Sequence, residues 1–222
     1  MEHLLDESIN FFARYRLPSG LYLDKLPTTG GHVDSTQPNA QKSTSAAGFG
    51  LIALCVGAER DLYTIESALQ CASHTVAAVS QIKCTRNGFM LHWCDGQGRS
   101  EFSTIDTAIC VLGALFAGNY FKAKSPHSEA ARSFAERVRV LSEGIRWEDA
   151  LIDSHEGAPG MFMTMSVDGV GQSHSVTRIF NEYYLLALCA AVVEGRGGLP
   201  GRATEFFYSH FDEPPSEVSH LY

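Results

Sequence analysis

The chain has 222 residues, 45% apolar and 19% charged, an ordinary globular balance that can bury a sizeable core in one domain or two small ones. Its formal net charge of -8, with no clustered run of Lys and Arg, excludes nucleic acid as an expected partner, because phosphates demand such clusters. Six scattered cysteines show neither Cys-x-x-Cys nor zinc spacing, so they read as small buried apolar residues in a reducing compartment.

Glu2 to about Arg16 reads as an amphipathic helix with Leu5, Ile9 and Phe12 on one face, ended by Pro18 and Gly20. The opening MEHLLDESIN has acids and no basic region ahead of an apolar one, unlike a signal peptide. The expected location is therefore cytoplasmic, or periplasmic if the sequence is a trimmed form. Asp24 to Ser43 is rich in Thr, Gly, Pro, Ser and Asn. Loops of about 15 residues or more are usually functional or disordered, and both readings stand.

Ser45 is the expected cap of a second helix, whose run from Ala46 to Ala58 is apolar or glycine throughout. Its glycines lower helix propensity but let neighbouring helices approach closely. Thr64 begins a third helix with Ile65, Leu69, Ala72, Val76 and Val79 on one side and polar residues on the other, so that helix faces water.

Next comes a polar loop holding His92, Trp93, Asp95, Arg99 and Glu101. FMLHW favours extended chain, and Asp95 with the glycines after it is a turn signal. Ser103-Thr-Ile-Asp106 has the capping-box form, placing a helix start at about Thr104. From Ala108 to Gly118 every residue is apolar or glycine, about half of the roughly 20 residues that a membrane span needs. The expectation is a buried helix and no membrane span.

A fifth helix is expected after Ser125-Pro126, with Phe134, Val138 and Leu141 on its apolar side and Gly144 closing it. Ile145 to Ser175 is an irregular excursion. A sixth helix is expected from near Val176 through TRIFNEYYLLALCAAVV, and a short seventh after Pro200-Gly201. Helices two, four and six are apolar all round, whereas one, three and five are amphipathic. Two layers satisfy that alternation, an inner helix touching neighbours on all sides and an outer one keeping a wet face. Polar loops at the ends of inner helices would line a shared mouth.

GFGLIALCVGAERD, GFMLHWCD, EFSTIDTAICVLGALFAGNYF, RWEDAL and FNEYYLLALCA resemble, in the same order, the blocks of the glycoamylase-like domain family, which includes bacterial endo-β-1,2-glucanases. The resemblance spans roughly Ser43 to Leu188 and is most specific at STIDTA. It implies an all-α fold, an (α/α)6 toroid of inner helices sheathed by outer ones, hydrolysing β-glucan with acidic residues in a central cleft. A complete ring needs about twice the helices that this pattern supplies, so the expected architecture is a partial toroid over residues 43–222, preceded by a helix and polar loop over 1–42. Such a half is a fragment, a degenerate domain, or one of two copies that complete each other as a homo-oligomer.

Glycoside hydrolysis needs two carboxyl groups flanking the bond, one protonated for the leaving oxygen and one ionised to activate water or attack carbon. Glu101 stands just before the capped helix, where the plain alternative is a solvated loop acid. Glu182 lies among aromatics at an inner-helix start, where the alternative is a favourable place on the helix dipole. Asp106 is a third catalytic candidate, although its capping role already explains it. His92, Trp93, Asp95, Arg99, Asn181 and Tyr183 are candidate sugar contacts. Against them stand turn chemistry for Asp95 and simple burial for Trp93.

No His-Glu-x-x-His, Gly-x-Ser-x-Gly or phosphate-loop pattern occurs, so neither a metal nor a cofactor is expected. The expected ligand is an oligo- or polysaccharide, a β-glucan. The alternative, from another class, is a non-catalytic glycan-binding or structural half-domain that assembles with itself or a partner.

Overall fold

A computed structural model describes residues 2–25, 41–94, 100–155, 158–178, 182, 184–194 and 205–206. Six helices carry most of them: α1 (Glu2–Arg14), α2 (Thr44–Glu59), α3 (Ile65–Val79), α4 (Thr104–Lys124), α5 (Glu129–Glu143) and α6 (Tyr184–Glu194). Local capping chemistry sets several starts. Thr64 accepts from the Ser67 amide at 3.1 Å, and Ser103 from the Asp106 amide at 3.3 Å, each satisfying an orphan donor of the first turn.

Two expected caps are corrected. Ser43, not Ser45, caps α2 and accepts from the Ala46 amide at 3.1 Å. The extended Ser43 bridges Trp93, and the Thr44 amide donates to the His92 carbonyl at 3.0 Å, so pairing with a distant segment sets where this helix begins. Ser128, not Ser125, caps α5 through the Ala131 amide at 3.3 Å. Ser125 instead ends α4, its amide donating to the Phe121 carbonyl at 2.9 Å.

Helix α4 lies between α2 and α6, α1 and α3 lie against α2, and α5 lies against α4 and α3. The core follows this layering. Leu51, Cys55, Val111, Ala114, Leu186 and Cys189 are buried on α2, α4 and α6, and Leu69, Val76, Phe134 and Val138 are buried on α3 and α5. Helices α2 and α4 approach closely at two glycines: a Cβ on Gly113 would collide with the Gly48 backbone, and one on Gly48 with the backbone of Ile109 and Cys110. At the opposite end, Glu59 accepts from Tyr120 Oη and Lys124 Nζ at 3.0 Å each. The two helices therefore run parallel, with their N-termini at one end.

Among the described residues one helix, α4, is long and apolar enough to cross a membrane, and it is mostly buried inside the protein. The expectation of an all-α chain is corrected to a mainly helical one. β1 (Phe102–Ser103) pairs with β4 (Thr164–Met165), while β2 (Leu151–His155), β3 (Ala158–Phe162) and β5 (Val176–Arg178) form an antiparallel sheet in the order β2-β3-β5. Glycine-punctuated segments with β-branched and methionine side chains lack the helical period and find partners across the excursion.

The sixth helix accordingly starts at Tyr184, because Val176–Arg178, expected to open it, is a strand. The excursion is tied down by Asn87, whose Nδ2 donates to Asp149 Oδ2 at 3.0 Å and to the Gly169 carbonyl at 2.9 Å. Of the expected seventh helix, Glu205 and Phe206 are described, both helical, with Phe206 buried. The rest lies outside the described residues.

Candidate active site

The parallel setting of α2 and α4 brings the N-terminus of each to one edge, where two extended segments cover them. Residues 90–93 form an irregular pairing: the Ser103 amide donates to the Met90 carbonyl at 3.0 Å, and the His92 amide donates to the Glu101 carbonyl at 2.9 Å. On the other side, Thr44 Oγ1 donates to the Leu91 carbonyl at 2.6 Å and the Cys94 amide to the Lys42 carbonyl at 2.8 Å. The 90–94 segment is thus stitched to the starts of both α2 and α4. His92, Trp93, Glu101 and Asp106 come together as a consequence.

At the centre, His92 Nδ1 and Asp106 Oδ2 are 2.6 Å apart, with side chains 25% and 10% exposed. An ionised carboxylate can only accept, so Nδ1 carries the proton. Burial by itself pushes the Asp106 carboxyl up, but hydrogen bonds from His92, Ser103 and Ser45, with the charge of His92, together hold it below the usual carboxylate value. The hydrogen bond to Asp106 raises His92 above its ordinary value against partial burial, and the charges of Asp106, Glu101 and Asp24 add to it. The first turns of α2 and α4 add their positive dipole ends beside the same carboxylate.

The His92 and Trp93 rings meet edge to face at 4.0 Å between centroids, and Lys25 Nζ lies 5.8 Å from the Trp93 ring centre. Trp93 is half-buried, and its amide donates to Ser100 Oγ at 2.9 Å. Glu101 is exposed beside this pair. The arrangement offers an indole face, a fixed imidazole and an accessible carboxyl group within one small region. A polar ring with apolar faces, such as a sugar, suits such a surface.

Glu182 stands apart from these contacts. Its carbonyl accepts from the Leu185 amide at 3.0 Å to open α6, and its side chain is exposed. Asp95, Arg99, Asn181 and Tyr183 lie outside the described residues. The Asp106 backbone amide donates to the capping Ser103 hydroxyl, but the Ser103 amide donates to the Met90 carbonyl, so the Asp106 carboxylate does not close the expected capping box and faces His92 instead.

Ser45, Asp24 and Lys25 are site neighbours that sequence reasoning passed over. Ser45 was read only as a cap, although the hydroxyl run Ser43-Thr44-Ser45 ahead of a buried helix could have signalled spare donors. Asp24 and Lys25 opened a loop with no motif. Among the described residues, no group of three or more His, Cys, Asp or Glu could hold a metal ion. An apolar cavity of about 570 Å³ lies elsewhere, between α3 and α5, and is lined by Val76, Val79, Val140 and Leu141 among others.

No family model matches the sequence, and no curated protein matches it. Solved structures do match. An endo-β-1,2-glucanase from Chitinophaga pinensis, in complex with sophorotriose and glucose, superposes with a TM-score of 0.69 at 17% identity, over 86% of this chain and 46% of that one. A β-1,2-glucanase from Parabacteroides distasonis gives 0.71 at 19% identity over 99% of this chain and 31% of that one. A provisionally assigned glucoamylase from Bacteroides fragilis gives 0.68 at 19% identity over 86% and 46%. The chain thus spans between 31% and 46% of the length of these three structures. Its mainly helical fold superposes on part of the fold of each of these structures.

Proposed function

We propose that the protein is a glycoside hydrolase acting on β-glucan, β-1,2-linked chains above all, built on a partial (α/α)6 toroid with α2, α4 and α6 inside and α1, α3 and α5 outside. The observation that carries this reading is the cluster at the joined N-termini of α2 and α4, where exposed Glu101 stands beside the His92–Trp93 pair. The names of the neighbouring structures support the choice of β-1,2-linkage. Glu101 and Glu182 act as the acid and base of the two-carboxylate mechanism, in an order left to experiment, and Trp93 offers its ring to a sugar face. Asp95, Arg99, Asn181 and Tyr183 are further sugar contacts in this reading.

The test is release of reducing ends from linear β-1,2-glucan by the purified 222-residue protein. Glu101→Gln and Glu182→Gln are each expected to lower kcat by about 10²- to 10⁴-fold, the usual worth of a general acid or base. Unchanged hydrolysis in both variants would defeat the site assignment. No release from β-1,2-, β-1,3- or β-1,4-glucans by the folded protein would defeat the enzyme reading.

A second reading is favoured by Phe49 on α2 and Phe116 on α4, each 49% exposed although both belong to inner helices. A non-catalytic half-domain that binds glycan and assembles with a second copy would cover such residues. Glycan binding without hydrolysis, at twice the monomer mass, is the result that this reading requires.

A further inference from the structure

Asp106 is the most buried carboxyl group of the cluster and is surrounded by donors. His92 Nδ1–H reaches it at 2.6 Å, and the hydroxyls of Ser45 and Ser103 lie against it from the first turn of α2 and the cap of α4. A hydrolytic acid must hold a proton and offer it to the glycosidic oxygen, and a hydrolytic base must face a water beside the sugar. Asp106 does neither, because its environment favours the ionised form and its side chain, committed to His92, is only 10% exposed. Nδ1 is committed to Asp106, so the only free polar atom of the ring is Nε2, on the opposite edge. Nε2 has no hydrogen-bond partner among the described residues, and the His92 side chain remains 25% exposed.

Resting on the glucanase reading above, we infer that Asp106 is a positioning residue rather than one of the two hydrolytic carboxyls. It anchors His92 so that Nε2 meets a hydroxyl of the bound glucan beside the Trp93 ring. The edge-to-face contact with Trp93 fixes the ring plane, and Asp106 fixes the tautomer and the rotation about the side-chain bonds. While the imidazole is protonated, Nε2–H is a charged donor, the stronger kind of hydrogen bond. The charged groups facing His92 are Asp106 on α4, Glu101 ahead of β1, and Asp24 after α1, with Lys25 over the neighbouring indole. Three acids and one more distant cation surround it, so the imidazolium is retained to higher pH than a free histidine.

The experiment pairs an NMR titration of the His92 ring nitrogens with binding of linear β-1,2-glucan oligosaccharides followed by tryptophan fluorescence. In the wild type the neutral ring is expected to carry its proton on Nδ1, and its titration midpoint should lie above that of a free histidine. Asp106→Asn should bring the midpoint back down. Glucan affinity should fall as pH rises through the wild-type midpoint. In His92→Gln, which keeps a neutral donor, affinity should be roughly 5- to 10-fold weaker than wild type at low pH and should not vary with pH, since a hydrogen bond from a charged group is worth about 1 to 1.5 kcal/mol more than a neutral one.

A neutral ring protonated on Nε2 would overturn the inference in the wild-type chain itself, so the test stands even if Asp106→Asn does not fold. So would wild-type affinity and pH dependence in His92→Gln. Absence of glucan binding and hydrolysis in the wild type, with the Nδ1 tautomer present, would overturn the glucanase reading and the sugar contact together. Hydrolysis that persists while His92→Gln binds as well as wild type would overturn the inference alone.

Discussion

At the scale of single residues, the His92–Asp106 contact couples stability to pH in a direction that can be worked out. Asp106 titrates lower folded than unfolded, so its contribution is present above the ordinary carboxylate value near about 4 and is lost as pH falls through its depressed folded value. His92 titrates higher folded than unfolded, so its contribution is full below about 6.5 and is lost as pH rises through its elevated folded value. Both operate together between roughly pH 4 and 6.5. The melting temperature of wild type should therefore exceed that of Asp106→Asn by most in that window, and the gap should shrink on either side. Thermal denaturation across pH checks this, and a gap that widens above pH 8 would contradict it. The Ser103 cap of α4 was legible from Ser103-Thr-Ile-Asp106, because a cap is local, whereas the reciprocal bond expected from the Asp106 carboxylate is displaced by pairing of the Ser103 amide with Met90. The partner that the carboxylate takes was not legible, since His92 lies in another segment.

At the scale of elements, the glycines of α2 and α4 matter more than their low helix propensity suggests. Gly113→Ala should gain about 0.5–1 kcal/mol of helix propensity. It would lose more, because its Cβ would meet the Gly48 backbone, and neither helix backbone can move without disturbing its other contacts. Overpacking of this kind typically costs about 1–3 kcal/mol. A lower urea midpoint is expected, and a higher one would show that the helices can separate.

Ser43→Ala should cost about 1 kcal/mol through loss of the α2 cap, whereas Ser45→Ala should leave that cap intact. A larger loss for Ser45→Ala than for Ser43→Ala would reverse the assignment of the cap. The helices were read from their 3.6-residue period and from Thr64, Ser103 and Gly144 at their ends, all of which act within a few residues. The helix expected from Val176 failed because Val-Thr-Arg pairs with β3, a partner the periodicity of one segment does not reveal.

At the scale of the whole molecule, the helices expected to be apolar all round pack in a row with α4 between α2 and α6, while α1 and α3 lie against α2 and α5 against α4 and α3. Phe49 and Phe116 depart from that expectation by remaining half exposed. If a second copy covers them, Phe49→Gln with Phe116→Gln should return the native mass to that of a monomer without loss of helical content. A wild type that is already monomeric and binds no hydrophobic dye would remove this form of assembly.

The sequence by itself determined the presence of the helices, the ends marked by Thr64, Ser103 and Gly144, and which helices face water, because period, capping and burial of an apolar face act over a few residues. Only the tertiary structure decided that Ser45 faces Asp106 instead of capping, that the excursion pairs into sheets, and that His92 meets a carboxylate fourteen residues away. Those contacts depend on where two parallel helices end relative to a covering strand, and no property of either segment alone specifies that distance.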